Sequence, residues 1–174
     1  MKYFFYLTII LTITLSNTLA KKTSLKVGDM VPDFTLVDGQ GIEFTSSEYF
    51  NKQPLVIFFY PKDNSPVCTA EVCSFRDSFE EFKNLNAKIV GISTDNTISH
   101  RRFKRKHNLP YMLLSDHSKR IQKLFGISKG FFGGSQRTTF ITNKKGIIIY
   151  IFNNHNEAQL HTSEALKALK NISN

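Results

Sequence analysis

Cys68 and Cys73 are the only two cysteines of this 174-residue chain, and they lie five positions apart. Ser65 followed by Pro66 predicts the start of a helix, because serine is a preferred N-cap and proline fits the first helical position. Cys68 then falls in the first turn, where free N–H groups and the helix dipole favour a negative charge. Since the thiolate is the reactive form of cysteine, Cys68 is a candidate nucleophile.

The spacing of the two cysteines limits what they can do together. Five residues of a helix rise about 7.5 Å and turn through about 500°, so the two side chains point to different faces. A disulfide needs Cα atoms within about 7 Å of each other and suitably directed side chains. The first turns of the helix must therefore unwind before Cys68 and Cys73 can bridge.

The segment around the cysteines resembles a known family. Pro61, Ser65 and Cys68 match the Pro-x-x-x-(Thr/Ser)-x-x-Cys motif of peroxiredoxins. The longer run, Tyr-Pro-Lys-Asp-Asn-Ser-Pro-Val-Cys-Thr-Ala-Glu-Val-Cys-Ser-Phe-Arg-Asp, is similar to the peroxiredoxin Q (bacterioferritin-comigratory) branch of the AhpC/TSA superfamily, except that Val67 replaces the usual glycine. Residues 27–34 resemble the G-x-x-A-P-x-F segment of the same family.

The resemblance implies a thiol-dependent peroxidase that reduces hydrogen peroxide and organic hydroperoxides. Peroxide would oxidise Cys68, the peroxidatic cysteine, to a sulfenic acid, and Cys73, the resolving cysteine, would condense with it into an intramolecular disulfide. The Cys68 backbone N–H, the Ser65 hydroxyl and Arg137 would donate hydrogen bonds to the leaving peroxide oxygen. The fork of Arg137 would also hold the thiolate, and Pro61 would shield the thiolate from bulk water. Thioredoxin or another dithiol would reduce the disulfide, and no metal or other cofactor is expected.

Two other interpretations stay open. An exported thiol-disulfide oxidoreductase on the same fold would want Cys-x-x-Cys at the helix start, whereas the spacing here is Cys-x-x-x-x-Cys. A copper-binding module on a thioredoxin-like scaffold tends to use Cys-x-x-x-Cys and a late histidine. That cysteine spacing is one residue shorter than the spacing in this chain. The five histidines show no metal-ligand spacing. Thr69, Glu71 and Arg76 are interpreted as support for the helix rather than as participants in the chemistry.

Hydrophobic patterning predicts the elements that position these residues. Strands are predicted at 34–37, 42–44, 55–60, 88–93, 112–114, 137–142 and 147–152. Helical patterns cover 46–49, 66–85, 97–107, 119–125 and 157–170, with Asp95 or Thr97 as the cap of the third, and 129–135 is predicted as a flexible loop. This order fits an α/β, thioredoxin-like fold with a central mixed sheet flanked by helices and an added N-terminal β-hairpin.

Residues 1–20 do not look like part of that fold. Lys2 gives a positive start, residues 3–15 are almost wholly apolar or threonine, and the segment ends at the small residue Ala20. The pattern predicts a secretory signal peptide cleaved after Ala20, with an uncleaved N-terminal anchor as the alternative. Residues 21–174 would then form a single exported domain in a periplasmic or other extracytoplasmic compartment, where disulfides persist.

Charge adds one further candidate site. The formal net charge is +9, and the densest basic run covers residues 101–106. Such a run could attract nucleic acid or an anionic membrane, but it is interpreted as a solvated helix face because no nucleic-acid motif accompanies it.

The partners that the resemblance implies are a peroxide and a dithiol reductant. A monomer is expected, since an intramolecular bridge needs no second chain.

Overall fold

The computed structural model describes residues 24–127 and 137–173. The predicted signal peptide at 1–20 and the predicted loop at 129–135 lie outside these residues. Seven strands occur in the described part: β1 Thr35–Val37, β2 Glu43–Thr45, β3 Leu55–Phe59, β4 Lys88–Ser93, β5 Met112–Ser115, β6 Thr138–Thr142 and β7 Ile148–Asn153. The helices of this part are α1 Pro66–Asp77, α2 Phe79–Asn84, α3 Thr97–Lys106, α4 Arg120–Leu124 and α5 Leu160–Ser173, with a short 3₁₀ turn at Ser46–Tyr49.

A mixed sheet of order β5-β4-β3-β6-β7 forms the centre of the fold. Strand β3 pairs in parallel with β4 and antiparallel with β6, and all five of its residues are buried. This burial explains the uninterrupted apolar run, because a central strand is covered on both faces. The mixed sheet, the flanking helices and the separate antiparallel hairpin β1–β2 confirm the predicted fold class.

Successive side chains of β3 point to opposite faces of the sheet and pack into two different hydrophobic layers. Phe58 and the neighbouring Tyr60 face the layer that contains Cys68 and helices α1 and α5, whereas Phe59 faces the layer formed by the hairpin and α4. The ring of Phe58 stacks on Phe75 of α1, with 4.5 Å between centroids. The helix that carries both cysteines is therefore fixed directly on the central strand.

Several predicted boundaries differ from the structure, most of them by one residue. The helical pattern over 66–85 is divided at Ser78 into α1 and α2. Helix α5 begins at Leu160, after the predicted start. Helix α3 is capped by Asn96, whose side chain accepts a hydrogen bond from the Ser99 N–H, so the expectation of Asp95 or Thr97 as the cap is wrong.

The carboxylate of Asp95 is occupied elsewhere, which explains the change of cap. One of its oxygens accepts hydrogen bonds from the Asp63 N–H and the Ser93 hydroxyl, at 2.8 Å each. Asp95 thereby joins the loop before α1 to the end of β4. Within residues 24–127 and 137–173, no helix is both long enough and apolar enough to cross a membrane.

Candidate active site

Cys68 lies in the first turn of α1 and is only 1% exposed. Ser65 occupies the N-cap position and Pro66 the first helical position, as the sequence predicted. The Ser65 hydroxyl makes no capping bond and donates instead to the Lys62 carbonyl at 3.2 Å. Pro61 is half-buried in the loop between β3 and α1.

Arg137 reaches Cys68 from a distant part of the chain. Its Nη2 donates to the Cys68 sulfur at 3.4 Å, and the residue is 2% exposed. The topology explains the contact, because antiparallel pairing of β3 with β6 sets Phe59, at the end of β3, opposite Thr138, at the start of β6. The loop that leads to Cys68 and the residue that precedes β6 therefore lie at the same end of these two neighbouring strands.

Glu71 is the second partner of Arg137. It lies one turn after Cys68, is fully buried, and its Oε2 accepts a hydrogen bond from Arg137 Nη1. Burial raises the pKa of Glu71 to about 8, although the positive charge of Arg137 opposes the rise. The carboxyl group of Glu71 therefore holds Arg137 beside Cys68, a contact that its interpretation as helix support did not include.

His161 closes this buried cluster from α5. Its Nε2 donates to the Asn154 carbonyl at 2.9 Å, so its Nδ1 accepts the hydroxyl hydrogen of Thr139 at 2.7 Å. Burial lowers the pKa of His161 to about 4, with a further contribution from the charge of Arg137. The imidazole is thus neutral at physiological pH, and it lies 3.7 Å from Glu71 Oε1, which has no hydrogen-bond partner among the described residues.

A second buried network fixes the loop that precedes α1. Asp63 accepts hydrogen bonds from the Tyr60 hydroxyl, the Ser99 hydroxyl and His100 Nδ1, at 2.7, 2.7 and 2.9 Å. Burial opposes ionisation, but the hydrogen bond from His100 and its companions hold the pKa of Asp63 below the usual value. Since His100 belongs to α3, the basic helix anchors the loop of the candidate site. The exposed arginines and lysines of 101–106 lie around the buried Phe103.

Cys73 is a free thiol in a different environment from Cys68. It is half-buried, and its sulfur lies 3.8 Å from Nδ1 of His107, at the end of α3. The described residues contain no group of three or more histidine, cysteine, aspartate or glutamate side chains that could hold a metal ion.

Residues 27–151 match the AhpC/TSA family. The chain belongs to this family. It is 40% identical over 146 residues to the chloroplastic peroxiredoxin Q of Oryza sativa subsp. japonica, an alignment that covers 83% of this chain and 67% of the relative. The peroxiredoxin Q resemblance of the cysteine segment is thereby confirmed at the level of the whole domain.

Solved structures of the family share the fold. Peroxidoxin BcpB from Mycobacterium tuberculosis superposes with a TM-score of 0.80 and 34% identity, covering 85% of this chain and 98% of that one. The bacterioferritin comigratory protein of Xanthomonas campestris, studied for its alkyl peroxide reduction activity, superposes with a TM-score of 0.75 and 29% identity, covering 81% and 92%. These relatives confirm the prediction of a peroxidase and give no support to the oxidoreductase alternative.

The sequence motif indicated Cys68 and Arg137, but it did not indicate the buried groups around them. Cys68 and Arg137 meet as the resemblance implied, whereas Glu71, His161 and Asp63 were not expected in the site. The one available signal for Glu71 was its position three residues after Cys68, which places both side chains on the same helix face. The catalytic roles of Cys68, Cys73, Ser65, Arg137 and Pro61 stay predictions.

Proposed function

We propose that this chain reduces hydroperoxides with Cys68 as the attacking thiolate. The observation that carries the proposal is the buried Cys68 sulfur with Arg137 Nη2 at 3.4 Å. The sulfur attacks the terminal peroxide oxygen, the O–O bond breaks, and the other oxygen takes a proton and leaves as water or an alcohol. The guanidinium fork stabilises the thiolate and the charge that develops on the leaving oxygen.

The oxidised Cys68 is then a sulfenic acid, which Cys73 converts into an intramolecular disulfide. Cys73 lies five residues further along the same helix, so the first turns of α1 must unwind for this step. A thioredoxin-like dithiol reduces the disulfide and restores both thiols. The peroxiredoxin Q name of the relatives supports peroxide reduction with a thioredoxin-like reductant, and the work on the Xanthomonas protein supports organic hydroperoxides as substrates beside hydrogen peroxide.

Peroxide consumption with a dithiol reductant tests the proposal. We expect the purified protein to consume hydrogen peroxide and an alkyl hydroperoxide, and the Cys68→Ser variant to be inactive. A matched control is Ser74→Ala, which changes a half-buried residue of the same helix outside the site. Full activity of the Cys68→Ser variant would reject Cys68 as the reacting group.

Localisation is a separate part of the proposal. We infer that residues 1–20 are a signal peptide cleaved after Ala20 and that residues 21–174 act as a monomeric, exported domain. The apolar composition of residues 3–15 supports this inference, and the family match begins only at residue 27. Mass spectrometry of the native protein should give a mature chain that begins at Lys21. A full-length chain in the membrane fraction would support the uncleaved anchor instead.

A further inference from the structure

Cys73 has a histidine neighbour that the cycle above does not use. The Cys73 sulfur lies 3.8 Å from Nδ1 of His107, within the range of a hydrogen bond to sulfur. The ring of His107 is held edge-on against Phe103, with 4.9 Å between centroids. Its Nε2 is buried and has no hydrogen-bond partner in the described part of the chain, whereas its Nδ1 contacts the Cys73 sulfur.

Two hydrogen bonds fasten the second half of α1 to the segment that follows α3. Arg76 Nη1 donates to the His107 carbonyl at 2.9 Å, and the Tyr111 hydroxyl donates to the Val72 carbonyl at 2.6 Å. Cys73 lies between the two helix residues that make these bonds. If the first turns of α1 unwind, these two bonds would keep Cys73 beside His107 while Cys68 moves towards it.

His107 stands beside Cys73 as a neutral imidazole. Burial lowers the pKa of His107, and the positive charges of Lys106 and Arg76 lower it further, so the imidazole is neutral and Nδ1 can accept a proton. Asp77 and Tyr111 also interact with Arg76, and Tyr111 in turn faces Cys73, Glu71 and Asp77.

We propose that His107 is the general base for the resolving step, taking the thiol proton of Cys73 as its sulfur attacks the sulfenic acid of Cys68. This inference rests on the proposed function. In the step an S–S bond forms and the S–O bond of the sulfenic acid breaks. The departing hydroxide takes up the proton removed from Cys73 and leaves as water, so the step needs no further oxidant or reductant.

Alkylation of Cys73 tests the inference without any peroxide. In the Cys68→Ser background, the rate of Cys73 alkylation by iodoacetamide is measured from pH 5 to pH 10 by mass spectrometry. Replacing the base in His107→Phe should lower the rate at pH 7 about tenfold and move the midpoint of the profile to higher pH. His107→Gln, which keeps polarity but cannot act as a base, should behave alike. His117→Phe changes an exposed histidine and serves as control.

The complete protein supplies the second readout. After rapid mixing with peroxide and quenching with N-ethylmaleimide, mass spectrometry separates sulfenic acid, sulfinic acid and disulfide forms. His107→Phe should slow disulfide formation about tenfold more than it slows Cys68 oxidation, and it should increase the sulfinic acid form. Unchanged alkylation profiles, or disulfide formation at the wild-type rate, would overturn the role of His107. Absence of any Cys68 oxidation in the wild type would instead reject the proposed function.

Discussion

Arg137 donates a hydrogen bond to the sulfur of Cys68 at 3.4 Å across 69 positions of sequence. The other terminal nitrogen of the same guanidinium binds Glu71, so one cation faces two groups that can carry negative charge. Burial favours the neutral form of Glu71, and a neutral Glu71 leaves the positive charge of Arg137 to the thiolate. The Cys68 sulfur thus contacts a buried cation whose other partner is a carboxyl group that burial favours in its neutral form.

Replacing Arg137 by lysine should slow the reaction with peroxide. A lysine keeps the charge but lacks the planar fork, so it cannot hold Cys68 and Glu71 simultaneously in the observed geometry. We expect the second-order rate constant for hydrogen peroxide to fall about 10²-fold, the range found when one oriented donor is removed. Arg101→Lys, at an exposed position of α3, is the matched control. Equal rate constants for Arg137→Lys and the control would show that the fork is unimportant.

Glu71→Gln should change how stability depends on pH. The pKa of Glu71 is about 8 in the folded protein against an ordinary value of 4.5, so the folded state holds this proton more tightly than the unfolded state. This tighter proton binding stabilises the folded state fully below about pH 4.5, and the stabilisation is lost as the pH rises towards about 8. Urea unfolding at pH 5 and pH 8 should therefore show a smaller loss of stability in Glu71→Gln. Parallel curves for both proteins would contradict the raised pKa.

The fold was accessible from sequence because its signals are local. The apolar run of β3 and the Ser65–Pro66 helix start each depend on a few adjacent residues, and the structure confirms both. Arg137 was found through a motif, although its contact with Cys68 depends on the pairing of β3 with β6. The exact ends of α3 and α5 depend on competing hydrogen bonds, which the hydrophobic pattern does not report.

The supporting groups were missed because their partners lie far away in sequence. Glu71 and Arg137 are 66 positions apart, and Asp63 and His100 are 37 apart. Nothing in the residues beside a glutamate or a histidine tells whether its side chain points inward. Such contacts become visible only when the packing of helices on the sheet is known.

His100→Phe tests the network that anchors the loop before α1. The change removes one donor to the buried carboxylate of Asp63, while the hydroxyl groups of Tyr60 and Ser99 still donate to it. We expect a loss of about 2 kcal/mol in the free energy of unfolding, because a buried acceptor loses a partner. Chemical denaturation of this variant and of His117→Phe, its exposed counterpart, measures the difference. Equal stability of the two variants would mean that the network contributes little.

Cys73→Ser should separate the first half of the catalytic cycle from the second. Cys73 lies outside the contacts that join Arg137, Cys68 and Glu71, so the variant should reduce one equivalent of peroxide and stop as a sulfenic acid. Without the second thiol, thioredoxin-dependent turnover should fall at least about tenfold, and more Cys68 should be lost as sulfinic acid. Trapping with dimedone and counting of peroxide consumed per chain measure both effects. Turnover with thioredoxin at the wild-type rate would show that Cys73 is structural and that the reductant attacks oxidised Cys68 directly.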